Sequence, residues 1–435
     1  MKPQRTELSP GLFFTEMSCD AFKMARVTLF LSTPLRDDAT SSRIALLPYV
    51  LRRGTRLIPT STLFNRRLEE LYSADLFAGS FKSGDNHILT LSVDMLRREF
   101  VPDGKDLLLP AAELLRDVLL DPFIDPVTGV FSEEYVEREK KTACDRIRAL
   151  QNNKGVYAQN RCLSIMCADE AYGISELGTV EEIERITPAS LFAAYKALLS
   201  EAHIEIYYTG TGDTAPLSEL FLSSFAKVRR YPLPVPATTV RRRAGKKKSV
   251  TERAVATQGK LCIGFRSGVS LTDREAAAFT LFHTVFGASP TSKLFANVRE
   301  RLSLCYSCSS RQQLVKGLFL VQAGIENKNR RRAIREILRQ LSKVKAGRVS
   351  ENEMHMARQA IKNQLRSLRD EPAALERWYF VRTLSGIDES PEEFLARIDD
   401  VTLHDIAEMA KKVTLDTVYF LRGVPAEGME EESDE

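Results

Sequence analysis

The sequence contains the same succession of predicted helices and strands twice, and this repetition limits the folds that the chain can adopt. Residues 63–73 have the pattern of a helix and lead into an alternating, strand-like stretch at residues 87–93. Much later, residues 294–302 lead in the same way into residues 317–323. The copies lie about 215 to 230 residues apart, so two of them fill the 435-residue chain.

The C-terminal ends of the two copies also correspond. Thr187 is placed to begin a helix that leads to a strand at residues 203–208, and Thr402 to begin one that leads to residues 417–421. Threonine is a favoured N-cap because its hydroxyl accepts a hydrogen bond from the first helical turn. We predict that both threonines are N-caps.

Changes in composition mark the predicted boundaries. Residues 1–228 form an N-terminal domain and residues 251–424 a C-terminal domain. Residues 229–250 combine alternating prolines with a run of Arg and Lys, which favours an extended spacer. This run could contact nucleic acid, but it lacks interleaved aromatic residues, so a solvated linker is favoured. Residues 425–435 form an acidic tail with few apolar residues, which we predict to be disordered.

Within each copy the apolar pattern alternates between strand and helix periods. Val27, Leu29 and Leu31 share one face, as in a half-buried strand. Residues 134–151 place Val136 and Ile147 at helical spacing. The pattern predicts α+β domains, each with an antiparallel-rich sheet covered by helices.

The overall composition is that of an ordinary globular protein, with 43% hydrophobic and 28% charged residues and a net charge of +4. So small a charge does not indicate a nucleic-acid or membrane partner. No stretch approaches the roughly 18 apolar residues of a membrane span, and we expect no secretory signal. Seven cysteines without a closely spaced framework are typical of reduced thiols in a cytoplasmic protein.

The sequence offers little to hold a metal ion or cofactor. No two of the five histidines lie at metal-ligand spacing, although a site assembled from distant histidines stays open. Cys305 and Cys308 form a C-x-x-C, but its surroundings are strand-like and no second pair accompanies it. We expect neither a metal nor a redox role for this pair, and no cofactor.

One early stretch resembles the zinc-binding segment of the M16 peptidases, the family of pitrilysin, insulinase and mitochondrial processing peptidase. Members of that family have His-x-x-Glu-His on an early helix, followed by Gly-Thr. Counting back from Gly-Thr at residues 54–55, this chain has Ala45 and Tyr49 at the two histidine positions and Pro48 at the glutamate position.

The resemblance also places the family's third ligand, a glutamate seven residues after another glutamate. Glu139 matches the first of these, and Arg146 lies at the ligand position. Alanine has no lone pair, proline cannot accept a proton, neutral tyrosine is a poor zinc ligand, and arginine is a cation. The resemblance therefore predicts a degenerate zinc site with no metal and no catalytic residue. The alternative is an unrelated helix followed by Gly-Thr.

A second resemblance lies in the C-terminal half. Arg299 and Tyr306 have the spacing of an Arg-Tyr pair that active M16 enzymes direct at the substrate from the half opposite the zinc. A guanidinium and a phenol are suitable donors to a peptide carbonyl or its developing oxyanion. The alternative is a surface arginine and a tyrosine in the core of a strand.

The resemblance covers roughly residues 10 to 423 and implies a fold of two homologous M16/LuxS-like metallohydrolase domains that close like a clamshell around a peptide. It also implies a non-catalytic subunit that pairs with a zinc-bearing paralogue, or forms a homodimer, and offers Arg299 and Tyr306 to a peptide substrate. The branch suggested is that of bacterial peptidase-like proteins associated with aminopentanol modification of elongation factor P.

Two other functions stay open at this point. The chain could be a stand-alone scaffold that binds a peptide or protein in a translation-factor modification pathway, without proteolysis. It could also be a self-sufficient enzyme with a relocated site.

Overall fold

Two compact units make up the computed structural model, which describes residues 2–425. The first consists of Met1–Ile147, Ile174–Ala237 and Leu368–Leu384, and the second of Arg148–Gly173, Thr238–Ser367 and Ser385–Glu435. The units group residues by packing, whereas the predicted domains 1–228 and 251–424 follow the sequence repeat, so those bounds stay a prediction. Apart from Pro425, the predicted tail at residues 425–435 lies outside the described residues.

A six-stranded sheet forms the centre of the first unit. Its strands are β1 Gln4–Ser9, β2 Leu12–Ser18, β3 Met24–Pro34, β4 Asp75–Ser83, β5 Asn86–Leu96 and β6 His203–Gly210. Their order is β1-β2-β6-β3-β5-β4. Neighbours are antiparallel except β2 and β6, which run parallel.

The second unit has a five-stranded sheet built on the same plan. Its strands are β7 Lys248–Val255, β8 Gly259–Arg266, β9 Cys305–Gln313, β10 Leu318–Ile325 and β11 Thr414–Val424. Their order is β7-β11-β8-β10-β9, and only the first pair, β7 and β11, is parallel. Without β1, the first sheet has the same order and the same parallel pair. The predicted repeat and α+β class are therefore confirmed in the sheet topology.

Helices accompany these sheets, and only some of them were predicted from the sequence. The α-helices are α1 Asp38–Leu51, α2 Ser61–Glu70, α3 Leu108–Leu120, α4 Glu133–Asn152, α5 Lys154–Met166, α6 Val180–Glu184, α7 Pro188–Glu201, α8 Ala215–Phe225, α9 Ala276–His283, α10 Arg330–Lys345, α11 Glu351–Ser367, α12 Pro372–Leu384, α13 Pro391–Asp399 and α14 Leu403–Lys412. Two π-helical segments are Thr284–Ala288 and Phe295–Arg301. Thr187 and Thr402 cap α7 and α14 in capping boxes, as predicted. No helix between residues 2 and 425 is long and apolar enough to cross a membrane.

Strand β3 is buried on both faces, so the prediction of a half-buried strand is wrong. Val27, Leu29 and Leu31 face the main core of the first unit, as expected. Phe30 faces the other way and is also buried, in a second apolar cluster with Tyr207 and Phe380. A buried second face requires a covering element, and here that element is α12.

The covering helices come from the opposite halves of the sequence. Helix α12 lies in the second copy of the sequence repeat. Its Phe380 nevertheless stacks on Phe30 of the first unit, with ring centroids 4.1 Å apart. Conversely, α5 precedes the linker but packs with the second unit, where Cys162 and Met166 contact Leu320 and Tyr419. Each unit therefore contains a helix encoded in the other copy.

A buried carboxylate fixes α12 in the first unit. Glu376 is 1% exposed and accepts hydrogen bonds from the hydroxyls of Thr28 at 2.6 Å and Thr209 at 2.7 Å. The Nε of Arg26 lies 3.3 Å from the same carboxylate. Burial raises the pKa of Glu376 to about 7, against the lowering effect of Arg26 and the two hydroxyls.

A buried ion-pair network fixes the segment after α5 in the second unit. The fully buried guanidinium of Arg266 donates to Glu170 at 2.6 Å and to Asp416 at 3.0 Å, and also to the backbone oxygen of Met166 at 2.9 Å. Lys316, also fully buried, lies 3.0 Å from the second oxygen of Glu170. The desolvated charges therefore have close partners of opposite sign.

Residues of the predicted linker form side-chain contacts with other parts of the chain. Arg230 donates to the backbone oxygens of Gly11 and Ala202, and burial lowers the pKa of its guanidinium to about 10. In the basic run, Arg242 pairs with Asp273 at 2.7 Å. The last residues of the predicted linker, from Lys248, already belong to β7.

Candidate functional site

Helix α1 holds the residues at the predicted zinc-ligand positions. It begins where the side chain of Asp37 accepts a hydrogen bond from the backbone of Thr40, and it continues through Pro48 to Leu51. Proline within a helix removes one backbone hydrogen bond and costs about 3 kcal/mol in an exposed helix. Ala45 and Pro48 are buried and Tyr49 is partly exposed, so the structure gives the three positions different surroundings.

Arg146 lies against Tyr49. In the family motif that the sequence resembles, the residues at these two positions bind the same zinc ion. The guanidinium carbon is 4.4 Å from the centre of the Tyr49 ring, and an N–H group donates to the phenolic oxygen. A cation over an aromatic face is held by the quadrupole of the ring. The positive charge at this point is therefore supplied by a side chain of the protein.

The remaining carboxylate of the resemblance is also paired with an arginine. Glu139 on α4 is 5% exposed, and the Nε of Arg53 lies 2.5 Å from one of its oxygens. Arg53 follows the end of α1. Sequence analysis missed this arginine, which lies outside the family motif and beyond the end of α1, so no helical spacing pointed to it.

Beside these groups is a small open cavity of about 250 Å³. Its lining residues are Tyr49, Arg52, Arg53, Ser61, Phe64, Asn65 and Glu139. Between residues 2 and 425 there is no group of three or more His, Cys, Asp and Glu side chains that could hold a metal ion. Two arginines line this cavity, and one of them, Arg53, is paired with Glu139.

Restoring the four family residues tests the metal-binding capacity of this scaffold. We expect the variant with Ala45→His, Pro48→Glu, Tyr49→His and Arg146→Glu to bind one Zn²⁺ with a Kd of about 1 µM or tighter, about −8 kcal/mol. Titration calorimetry measures it. A control that keeps Arg146 should bind much more weakly, because the third ligand stays a cation. Equal weak binding by both variants would contradict the assigned positions.

Arg299 belongs to the second candidate site and lies on the π-helical segment Phe295–Arg301. Its side chain is exposed, and the guanidinium carbon lies 4.5 Å from the centre of the Phe295 ring. Two residues after this segment lies Ser303, whose φ of 47° is left-handed. This reversal leads the chain directly into β9.

Tyr306 is directed outward by an irregularity in β9. In the pairing with β10, Ser307 lies opposite Gly324 and Cys305 opposite Ile325, so Tyr306 is the extra residue of a β-bulge. The bulge leaves both Tyr306 and Ser307 exposed, and Tyr306 is 72% exposed. The alternative of a tyrosine in the core of the strand is therefore wrong.

The structure brings Arg299 and Tyr306 to one open cavity of about 380 Å³ in the second unit. The other lining residues are Glu300, Ser303, Leu304, Cys305, Glu326 and Asn329. The guanidinium of Arg299, whose Nε lies 3.4 Å from Glu300, and the phenol of Tyr306 can both donate to a peptide carbonyl. Since β9 is an edge strand, its outer side lies next to them.

Comparison with known proteins identifies the chain. A family profile described as "Peptidase M16 inactive domain" matches residues 185–361. A Bacillus subtilis (strain 168) protein named "Probable inactive metalloprotease YmfF" is 30% identical over 413 residues, which covers 95% of this chain and 96% of the relative. The chain belongs to the M16 peptidase family. One of its relatives in this family, the Bacillus subtilis protein, is named as inactive.

Two further similarities place this M16 chain among its relatives. A solved structure of a conserved protein from Enterococcus faecalis V583 has a TM-score of 0.90 and 28% identity, and the match covers 98% of this chain and 100% of that one. A Streptomyces coelicolor protein named "Uncharacterized zinc protease SCO5738" is 25% identical over 307 residues, or 68% of this chain and 66% of the relative. The fold of the Enterococcus protein therefore extends over nearly the whole chain.

Proposed function

We propose that this M16 chain is the non-catalytic subunit of a cytoplasmic peptidase, paired with a zinc-bearing M16 paralogue. One observation supports the proposal above the others. Arg299 and Tyr306 are exposed on one cavity, while the positions of the zinc ligands are taken by Ala45, Tyr49 and Arg146. A chain that keeps substrate donors but has a guanidinium in place of a metal needs a partner for hydrolysis.

In the proposed complex the two donors act on the peptide and not on the metal. The guanidinium of Arg299 holds a carbonyl oxygen, and the hydroxyl of Tyr306 donates a second hydrogen bond to the charge that develops there. Zinc and its activated water belong to the partner. In this complex one chain stabilises the developing oxyanion and the other generates the nucleophile.

Replacing Arg299 tests this role directly. In a complex with the zinc-bearing paralogue, Arg299→Ala should lower kcat about 10²- to 10³-fold, because one donor to the developing oxyanion is lost. Tyr306→Phe should lower it as well, with little change in KM. Peptide cleavage by the reconstituted complex measures both. The matched control is Arg301→Ala on the same segment, exposed and 3.5 Å from Glu336, which should leave kcat unchanged.

Two outcomes would reject the proposal. Wild-type turnover of the Arg299→Ala complex would remove the assigned role of the pair. Failure to recover a paralogue bearing His-x-x-Glu-His when this chain is purified from its native cell would remove the partner. A complex of two copies of this chain, the homodimeric form, would show as a doubled mass without peptidase activity.

A second candidate function is a stand-alone binding scaffold in a translation-factor modification pathway, such as that of elongation factor P. The observation in its favour is that both sheets end in a strand that presents an aromatic side chain at its edge. Phe77 on β4 is 52% exposed and Tyr306 on β9 is 72% exposed. An extended peptide can add to such an edge through backbone hydrogen bonds without any metal. Micromolar peptide binding by the chain alone, with no zinc-bearing partner recovered, would favour this function.

A further inference from the structure

The two cysteines of the C-x-x-C on β9 lie on the same face of the strand, which regular alternation would not allow. Residues three apart in a regular strand point to opposite faces. Here the bulge at Tyr306 inserts one residue between them, so Cys305 and Cys308 are both buried while Tyr306 and Ser307 are both exposed. The bulge therefore converts an unfavourable spacing into a facing pair of thiols.

The register with β10 gives the separation of the pair. Cys305 lies opposite Ile325 and Cys308 opposite Ala323, two residues apart on β10. Two residues of strand span about 6.6 Å, against roughly 10 Å for three. Disulfides form between Cα atoms about 4.4–6.8 Å apart, so the bulge brings the pair to the upper end of that range.

One of the two cysteines, Cys305, borders an open cavity. Both residues are free cysteines, 8% and 4% exposed respectively, and Cys305 lines the open cavity beside Arg299. Hydrogen bonding from Cys308 and the positive charge of Arg299 lower the pKa of the Cys305 thiol. The thiolate, which is the reactive form, is thus favoured at the cysteine that borders the cavity.

We propose that Cys305 and Cys308, for which the sequence predicted no redox role, are a reversible dithiol site, oxidised by hydrogen peroxide to a disulfide that brackets Tyr306. The sulfur of Cys305 attacks one peroxide oxygen, the O–O bond breaks, and a sulfenic acid forms with release of water. The sulfur of Cys308 then attacks that of Cys305, an S–S bond forms, the S–O bond breaks and the hydroxide leaves as water with the thiol proton. Two electrons from the thiols reduce one peroxide to two waters, and a dithiol reductant reverses the step.

The proposed disulfide would affect Tyr306, the proposed substrate donor that lies between the two cysteines. A disulfide here closes a covalent loop around the bulge and fixes the backbone on both sides of Tyr306. Because the separation is near the limit for a disulfide, the bond should be strained and readily reduced, as in regulatory disulfides. The thiol chemistry itself is independent of the proposed pairing with a zinc-bearing chain.

Mass spectrometry tests the proposal on the full-length protein. Trypsin releases residues 302–311 as one peptide that contains both cysteines. After brief treatment with hydrogen peroxide under denaturant-free conditions, this peptide should lose the mass of two hydrogen atoms and resist alkylation, and dithiothreitol should restore it. Cys162 and Cys262, both fully buried, should remain alkylatable after unfolding and serve as the internal control.

Variants test whether the spacing that the bulge gives to the two cysteines is required, or whether any two thiols on this face are sufficient. Cys308→Ser should leave a sulfenic acid on Cys305 that dimedone traps, and Cys305→Ser should show neither product. The double variant Cys308→Ser/Ser310→Cys keeps two thiols on the buried face, but Ser310 lies opposite Val321, four residues from Ile325 and roughly 13 Å away. Disulfide formation there should be at least about ten-fold slower.

The outcomes decide the matter in either direction. Unchanged mass and full alkylation of the wild-type peptide after peroxide treatment would overturn the proposal. So would equal disulfide formation by the double variant, because the bulge would then have no part in it. Trapping of sulfenic acid on the Cys308→Ser variant supports the first step even if the double variant folds poorly.

Discussion

Replacing Arg266 by alanine should lower the free energy of unfolding by about 3–5 kcal/mol, because it leaves buried carboxylates without their cation. Arg266 is completely buried and holds Glu170 at 2.6 Å and Asp416 at 3.0 Å. Urea denaturation at neutral pH measures the change. Lys316 remains beside Glu170 in the variant, so Asp416 is the carboxylate that loses the most.

The matched control for this prediction is Arg242→Ala. Arg242 also pairs with an aspartate at 2.7 Å, but its side chain is 57% exposed. Loss of such an exposed pair should cost less than about 1 kcal/mol, because water replaces the partner. Equal effects of the two substitutions would mean that the network around Arg266 does not fix the segment after α5.

Glu376→Gln should make the protein more stable at pH 8 and should have little effect on stability at pH 4.5. Burial raises the pKa of Glu376 to about 7 in the folded state, against a model-compound value of 4.5. The folded state therefore binds the proton more tightly, and the protein loses stability as the pH rises from 4.5 through 7. Full ionisation corresponds to roughly 3 kcal/mol, which the neutral glutamine avoids.

The measurement is the difference in unfolding free energy between variant and wild type across pH 4.5 to 8. His87 and His283, whose pKa values burial lowers to about 4, titrate in both proteins and cancel in this difference. Glu205→Gln is the control, since Glu205 is as buried but pairs with Arg5 at 2.6 Å, and its loss should destabilise at neutral pH. A pH-independent difference for Glu376→Gln would contradict the assigned pKa.

Local patterns in the sequence predicted much of the fold. Alternation at Val27, Leu29 and Leu31 located β3, and Thr187 and Thr402 located two helix starts. The burial of the second face of β3 could not be predicted, because the sequence of α12 does not show which strand this helix covers. The contact of Thr28 with Glu376 joins residues 348 positions apart, beyond any local signal.

The candidate site was predictable to a similar degree. The resemblance to the M16 zinc motif brought attention to Tyr49 and Arg146, which the structure places in contact. The ion pair of Arg53 with Glu139 depends on how α1 and α4 pack, and the bulge at Tyr306 depends on pairing with β10. Neither is encoded in the residues next to them, so both required the three-dimensional structure.

The exchange of covering helices has a consequence for biosynthesis. A ribosome releases the chain from its N-terminus, and β3 emerges long before α12, which covers its outer face. Until residue 384 has left the exit tunnel, Phe30 and Tyr207 lack the helix that shields them in the finished molecule. The first sheet therefore stays incomplete until most of the chain has been translated, and its uncovered apolar face favours aggregation during that time.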